Sequence, residues 1–265
     1  MIFRTPDNNS GVSYLQFPNL ASFPELFHGV FTRSGGISHG CFQGLNVSRS
    51  VGDRPDRVQH NRQLVSRCME KADLAFTQQV HGNQVVIVSG HSNPSQDATH
   101  LSAPPVGDAM TTDIPGKALV IQVADCQPVL LYDPIHKIVA NVHSGWRGSI
   151  GNIVGETVKA MKRRFSVHPE EIRAGIGPSL GPCCAEFINY QREIPQEYWK
   201  YKSKDNYFDF WAMSRDQLIQ AGVSKKNIHV SGLCTKCRTD LFFSFRAEKT
   251  TGRFAAVIGV NSSAH

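Results

Sequence analysis

At 265 residues and 40% hydrophobic content, the chain is long enough to bury a full core without disulfides. No apolar run reaches the roughly 18–20 residues of a membrane span. The net charge of +6 is scattered, with short clusters at Lys162–Arg164 and Lys225–Lys226, and no basic run interleaves with aromatics, so the charge reads as a solvated surface rather than a nucleic-acid face. The cysteines number seven, an odd count, and Cys183 and Cys184 are adjacent, which argues against a disulfide framework. The start MIFRTPDNNSGVSYLQF has no apolar stretch behind a basic one, so the expected setting is the reducing cytosol.

In chain order, residues 1–60 read as short strands joined by turns, with Leu26–Phe31 as an apolar run and GGISHG as a turn cluster. Residues 92–107 carry no apolar period and are expected to be a long surface loop of the flap type. Ala118–Val123, Val129–Tyr132 and Ile138–Val142 read as buried strands, the last two joined through Asp133–Lys137. Ile150, Ile153, Val154, Thr157, Val158, Met161 and Phe165 fall on one helical face, which predicts a single helix. Arg173–Ile176 and Asn227–Ser231 read as strands. Ser214–Ala221 reads as a helix ended by Gly222, and Phe254–Val260 as a closing strand. Strand and helix do not alternate regularly and no G-x-G-x-x-G follows a strand, which excludes a dinucleotide fold and favours an α+β domain with mixed sheets and helices outside.

The residues with chemistry stand at strand ends. QQVHGNQVVIV places His81 before an apolar strand, IQVADCQPVLLY places Cys126 after one, and IVANVHSGWRGS places His143 at the end of another. One thiolate and two imidazoles suit zinc, with a fourth position left for water or substrate. The alternative is a buried free cysteine and two unrelated histidines, because spacings of 45 and 17 residues are not diagnostic. His143-Ser-Gly-Trp-Arg-Gly-Ser runs from a strand into a helix, where Arg147 could grip a phosphate or carboxylate or simply be solvated. Asp108 is a carboxylate flanked by small residues, either a turn aspartate or an acid–base group. Cys234-Thr-Lys-Cys237 lacks a second C-x-x-C, and Cys183-Cys184 has a different spacing, so the pair is expected to be structural, reduced and metal-free.

From Phe27 to Val260 the chain carries HGVFTRSGGIS, GLNVSRSVGD, QVHG, GDAMTT, ADCQPVLLYD, VHSGWRG, GIGPSLGPCC, CTKCRTDLFFSFR and TGRF in that order. In these motifs it resembles the laccase-domain, YfiH-like family, known under the labels polyphenol oxidase, peptidoglycan editing factor and purine nucleoside phosphorylase. The resemblance implies one domain over residues 1–265 with α/β/β/α layers. It also implies zinc at His81, Cys126 and His143, and Arg33, Asn46 and Arg246 as pocket residues. The family pattern near FSYRR is here FSFRAEK, without the second arginine.

The implied activity is phosphorolysis of adenosine, inosine and methylthioadenosine to a free base and a sugar 1-phosphate, with adenosine deamination beside it. Arg147 is expected to hold the phosphate and Asp108 to hold the purine or relay a proton. Neither His81-Gly-Asn nor His143-Ser-Gly supplies the H-x-E of nucleobase deaminases. Copper is disfavoured, since one His₂Cys set would have to serve every copper centre of a laccase. The competing readings are a cysteine hydrolase with Cys126 as nucleophile and His143 as base, extending to an amidase acting on peptidoglycan precursors, and a non-enzymatic zinc protein whose site is closed by His28, Asp108 or Cys183. The expected partners are a purine nucleoside and phosphate on a monomer, with no nucleic acid and no membrane.

Overall fold

Unbroken apolar runs are buried on both faces when they become strands, so they must lie between other layers. The computed structural model, which describes residues 1–6, 10–89 and 103–262, places them there. Its strands are β1 (Ile2–Arg4), β2 (Tyr14–Gln16), β3 (Leu26–Phe31), β4 (Asp73–Ala75), β5 (Val85–Ile87), β6 (Ala109–Thr112), β7 (Lys117–Val123), β8 (Gln127–Asp133), β9 (Ile138–Ser144), β10 (Arg173–Ile176), β11 (Lys202–Lys204), β12 (Tyr207–Phe208), β13 (Ile228–Val230) and β14 (Phe254–Val260). Its α-helices are α1 (Pro18–Ala21), α2 (Pro55–Cys68), α3 (Trp146–Ile150), α4 (Ile153–Phe165), α5 (Tyr190–Glu193), α6 (Phe210–Gln220) and α7 (Phe245–Glu248).

Two mixed sheets result. The first has the order β1-β2-β3-β14-β7-β4 and the second β13-β10-β8-β9-β6-β5. In the first, β4 and β7 are parallel and the other pairs antiparallel; in the second, β10–β13 and β5–β6 are the parallel pairs. Between the sheets lies one apolar cluster that includes Val30, Leu119, Ile121 and Ile258 from the first and Met110, Leu130, Tyr132 and Val139 from the second. The outer face of the first sheet packs on Leu64 and Val65 of α2, and that of the second on Val154, Val158 and Met161 of α4 and Leu218 of α6. Each fully buried side chain of this size contributes about 1.5–3 kcal/mol. The α/β/β/α order and the α+β class are those expected from the sequence. No helix among the described residues is long and apolar enough to cross a membrane.

Three differences from the sequence reading have physical causes. The helix expected from Ile150 to Phe165 is two helices, α3 and α4. Asn152 breaks it by adopting a left-handed backbone (φ 52°) and accepting a hydrogen bond from Gly155 N–H at 3.1 Å, the N-cap of α4. Helix α2 was not expected: residues 1–60 read as strands and turns, yet the helix begins at Pro55, and its buried stripe includes the polar Asn61. Asn61 accepts from Ile37 N–H and donates to Ser38 Oγ and to the Gly44 and Asn46 carbonyls, so it fastens the helix to the 36–46 turns. Of the loop expected at 92–107, residues 92–102 lie outside the described residues; its end returns to the fold through hydrogen bonds between Gln78 N–H and Pro105 O and between Gly107 N–H and Gln78 O.

Connections between the sheets prepare the site. The chain leaves the first sheet at β4 and enters the second at β5, and it crosses again from β7 to β8. Residues 81 and 126 lie in these two crossings, while residue 143 lies in β9.

Elsewhere in the core, His28 on β3 is buried and its Nε2 accepts from Phe17 N–H at 2.9 Å. Burial depresses its pKa to about 4, so it is held neutral in the fold. The unfolded chain takes up this proton near pH 6.5 and the folded chain only near pH 4, so His28 contributes stability above pH 6.5 that is lost as the pH falls toward 4. Denaturant melts at pH 7 and pH 5 should differ by about 2 kcal/mol from this group. His28→Asn should flatten the slope in that window; an unchanged slope would assign the acid sensitivity elsewhere.

Candidate metal centre and its cavity

The ligand atoms of His81, Cys126 and His143 lie within 4.8 Å of one another. The imidazoles of His81 and His143 meet edge-on, with ring centroids 4.8 Å apart. His143 is oriented by Asp108: its Nδ1–H donates to Asp108 Oδ1 at 2.8 Å, which leaves Nε2 free to turn toward the sulfur. A ligating histidine is commonly fixed by a carboxylate in this manner. The carboxylate of Asp108 also accepts the backbone N–H groups of Val80 (3.2 Å), His81 (2.9 Å) and Gly82 (2.8 Å). Burial pushes its pKa up, but His143 and the N–H groups of Gly82 and His81 outweigh burial and hold it below its ordinary value.

Burial likewise opposes ionisation of Cys126, yet the neighbouring His143 and His81 lower its thiol below the ordinary range. His143 is raised against the effect of burial, chiefly by Cys126 and then by Asp108. The pair therefore favours thiolate and imidazolium when no metal is bound, and a cation can replace the imidazolium proton.

Cys126 is presented by a strained turn. Asp125 has φ 86°, a region costly for a residue with a side chain. Its carboxylate is held by Thr235 Oγ1 (2.6 Å), Ser244 Oγ (2.7 Å) and Arg246 N–H (2.6 Å), and its carbonyl accepts from Leu180 N–H (2.9 Å). His81 is also left-handed, at φ 62°. Gly145 closes the site from behind: a Cβ there would stand 2.9 Å from His81 Cδ2 and 3.3 Å from Cys126 Sγ.

The three donors open onto a cavity of about 840 Å³, within the range of small-molecule sites. Phe76, Trp146, Phe187, Phe210 and Phe245 supply aromatic wall, and Arg49, Arg62, Arg246 and Arg253 supply cationic groups. Burial lowers Arg62 to about 10, and the like charge of Arg49 acts in the same direction. Burial lowers Arg253 as well, but the charges of Cys126 and Asp125 oppose it, which marks Arg253 as a neighbour of the thiolate. Gln127 also lines the cavity; it is buried, and neither its amide nitrogen nor its amide oxygen has a hydrogen-bond partner among the described residues.

The other residues expected at the site separate into two groups. Arg246 lines the cavity and donates to Glu186 O at 2.8 Å. Arg33, Asn46, Asp108 and Arg147 do not line it. Arg33 pairs with Glu248 at 2.8 Å and donates to Thr239 O. Asn46 is a buried turn residue bonded to Asp53, Ser48 and Arg253 N–H. Asp108 is buried behind His143, and Arg147 stacks on its own neighbour Trp146 at 4.1 Å. None of the three residues considered for closing the metal site joins the donor set: His28 is on β3, Asp108 serves His143, and Cys183 lies with Cys184, Cys234 and Cys237. That last grouping corrects the sequence argument that the C-x-x-C pair has no partners, since the fold supplies the adjacent pair from 50 residues earlier in the chain. Asp125, Gln127, Arg49, Arg62 and Arg253 were not singled out from the sequence, although Asp125 and Gln127 flank Cys126 in ADCQ, Arg49 lies in GLNVSRS and Arg253 in TGRF.

The chain is similar over most of its length to proteins of known name and structure. Residues 27–261 match the family model described as multi-copper polyphenol oxidoreductase laccase. The chain is 36% identical over 250 residues to the purine nucleoside phosphorylase YlmD of Geobacillus stearothermophilus, covering 87% of this chain and 89% of that protein. It is 32% identical over 238 residues to the purine nucleoside phosphorylase YfiH of Escherichia coli, covering 86% and 90%. The crystal structure of YlmD from Geobacillus stearothermophilus superposes with a TM-score of 0.84 at 32% identity over 98% of this chain and 99% of that one. The structure of a Bacillus licheniformis hypothetical protein YfiH gives a TM-score of 0.84 at 30% identity, covering 98% and 99%.

The close approach of Gly145 makes a test of the centre. Gly145→Ala pushes on His81 and Cys126 together, and metal affinity should fall about 10-fold or more, the scale of changes just outside a ligand set. Metal content by elemental analysis, read beside an unfolding curve, checks this; undiminished metal in the variant would mean that the backbone there does not set the positions of the donors.

Proposed function

Because the chain belongs to the laccase-domain, YfiH-like family, we propose that it is a zinc-dependent purine nucleoside phosphorylase that converts adenosine, inosine and methylthioadenosine to free base and sugar 1-phosphate. One observation carries the reading: Arg49, Arg62, Arg246 and Arg253 line the same cavity as His81, Cys126 and His143. Four guanidiniums in one concave, partly apolar site fit an anionic co-substrate, and a guanidinium fork matches phosphate oxygens. The donor set fits zinc: one sulfur and two imidazole nitrogens, with the free side toward the cavity. When bound there, zinc supplies Lewis acidity toward a substrate oxygen.

The protein's own residues do the rest. The arginines hold phosphate against the ribose C1′, where a cationic transition state is stabilised by the attacking anion. Aromatic side chains such as Phe187 and Phe245 offer faces for the purine. The unpartnered amide of Gln127 can donate to a ring nitrogen and offset the negative charge of the leaving base. Asp108 acts one step back, fixing the tautomer and direction of His143. Its lowered pKa and its place behind the histidine remove it as a neutral acid at the purine, and with it the group expected to serve a deamination. The proposed activity is phosphorolysis alone. The seven cysteines are free thiols, which suits the cytosol.

Zinc is preferred to copper because the described residues form only one donor group containing histidine, and the other is all cysteine. A second reading has an observation of its own. Cys126, His143 and Asp108 also form a thiolate–imidazole–carboxylate series, the arrangement of a cysteine hydrolase. His81 beside the same sulfur favours the metal, since such a hydrolase has no use for a second imidazole there.

Product analysis separates these readings. Inosine with enzyme should yield ribose 1-phosphate only when phosphate is present, and removal of zinc by a chelator should abolish the reaction. Free ribose at an undiminished rate without phosphate would overturn the anion site, and acyl hydrolysis surviving chelation would select the cysteine hydrolase. Arg253→Gln, which gives up a charged hydrogen bond worth about 1.5–3 kcal/mol, should lower kcat/KM for phosphate about 10- to 100-fold. Arg147→Ala should change it less than about twofold, since an exposed side chain stacked on its neighbour contributes only tenths of a kcal/mol.

A further inference from the structure

Besides His81, Cys126 and His143, the described residues bring together one other set of metal-ligating atoms: the sulfurs of Cys183, Cys184, Cys234 and Cys237, all within 4.8 Å of one another. We propose that these four thiols bind a second zinc ion as a closed, structural tetrathiolate site.

The spacing of the sulfurs suits a tetrahedral site. A zinc–thiolate bond is about 2.3 Å, so the sulfurs of a tetrahedral site stand about 3.8 Å apart. Cys183 Sγ and Cys184 Sγ are 3.7 and 3.6 Å from Cys237 Sγ. A disulfide would need about 2.05 Å, and all four are free thiols. The ordinary role of a free cysteine, a small buried hydrophobe, does not account for the group, because Cys183 and Cys237 are exposed and Cys184 is half-buried. Four protein ligands leave no position for substrate, which makes the site structural rather than catalytic.

The surrounding backbone is already set for it. Gly181 N–H donates to Cys234 Sγ at 3.3 Å, a contact that stabilises a thiolate. Residues 179 and 234 form a parallel bridge, with Ser179 N–H donating to Leu233 O and Thr235 N–H to Ser179 O. Cys184 N–H donates to Gly181 O, and Arg238 N–H to Cys234 O. Two ligands thus come from one tight turn and two from another, and the turns are cross-linked beside the ligands. Lys236 stands beside Cys237 in the sequence, while the charge of Arg238 is taken by Asp240, with two hydrogen bonds of 2.8 Å.

The site has a task because of where its two loops lead. Leu180 N–H and Thr235 Oγ1 both donate to Asp125, the strained residue before Cys126, and Ser179 and Leu180 form part of the cavity wall. A zinc ion joining the loops fixes the support of Cys126 from outside the cavity. This holds whatever reaction the cavity performs, so the proposal does not rest on the phosphorylase reading.

The test uses the full chain with Cys126→Ser, which removes the first centre's sulfur and leaves the four thiols. After equilibration with zinc and removal of excess, it should retain about one zinc per chain, with an X-ray absorption shell of sulfur alone at about 2.3 Å. Adding Cys237→Ser should reduce that zinc to near zero. The unsubstituted chain, whose folding is not at issue, should carry the same sulfur-only zinc, and alkylation of its cysteines should release it. Zinc-free Cys126→Ser protein, a nitrogen-containing shell in it, full zinc after Cys237→Ser, or an unsubstituted chain with no zinc in a sulfur-only shell would each overturn the proposal.

Discussion

The buried carboxylate of Asp108 is the constraint on which the site depends. A carboxylate withdrawn from water costs several kcal/mol unless hydrogen bonds replace its hydration. Here three successive backbone N–H groups, from Val80 to Gly82, and the imidazole of His143 do so. The same four bonds locate both histidines of the candidate metal centre. One side of the carboxylate winds the turn that carries His81, and the other selects which nitrogen of His143 is available. Removing the carboxylate would therefore disturb two ligands although it touches neither cavity nor substrate.

Asp125 has the corresponding task for the third ligand. The left-handed backbones at His81 and Asp125 cost about 1–3 kcal/mol each, and they persist because the carboxylate networks beside them over-determine the turns. Strain of this kind fixes direction. A relaxed turn at either place would let the thiol or the imidazole swing, whereas the observed turns leave each one direction. The two networks draw on different parts of the fold, Asp108 beside β6 and β9 and Asp125 on the loops that carry Thr235 and Ser244.

Much of this was legible in the sequence where a residue's own chemistry or period decides its place. Phe254–Val260 and Arg173–Ile176 are strands over the residues their apolar runs mark, and the α/β/β/α order agrees with the motif resemblance. His81, Cys126 and His143 could be gathered because each stands beside an apolar run in the sequence with a chemistry that suits the others. Helix α2 was hidden because Asn61, a polar residue in its buried stripe, breaks the apolar period. The break at Asn152 was hidden because its neighbours keep the helical period on both sides. Among the site residues, charge alone misled. Arg33 and Arg147 have the right side chain beside the right motif, but Glu248 and Trp146 hold them outside the cavity, while Arg49 and Arg253 reach it from motifs of no greater prominence. The joining of Cys183–Cys184 to Cys234–Cys237 was out of reach for a different reason, since no local spacing shows that two loops 50 residues apart are paired.

The crossings between the sheets bear on the order of assembly. His81 lies where the chain passes from the first sheet to the second, Cys126 where it passes again, and His143 within the second. No single sheet carries the set, and His81 and His143 are 62 positions apart along the chain. Contacts so remote in sequence form late, after the entropy of closing the intervening loops has been overcome. A nascent or half-docked chain offers an ion isolated imidazoles and thiols, each a weak competitor for it. Only the chain whose two sheets have met presents all three at once. Any metal taken up at this seam would then follow folding instead of guiding it, and its occupancy would be a readout of the finished sandwich.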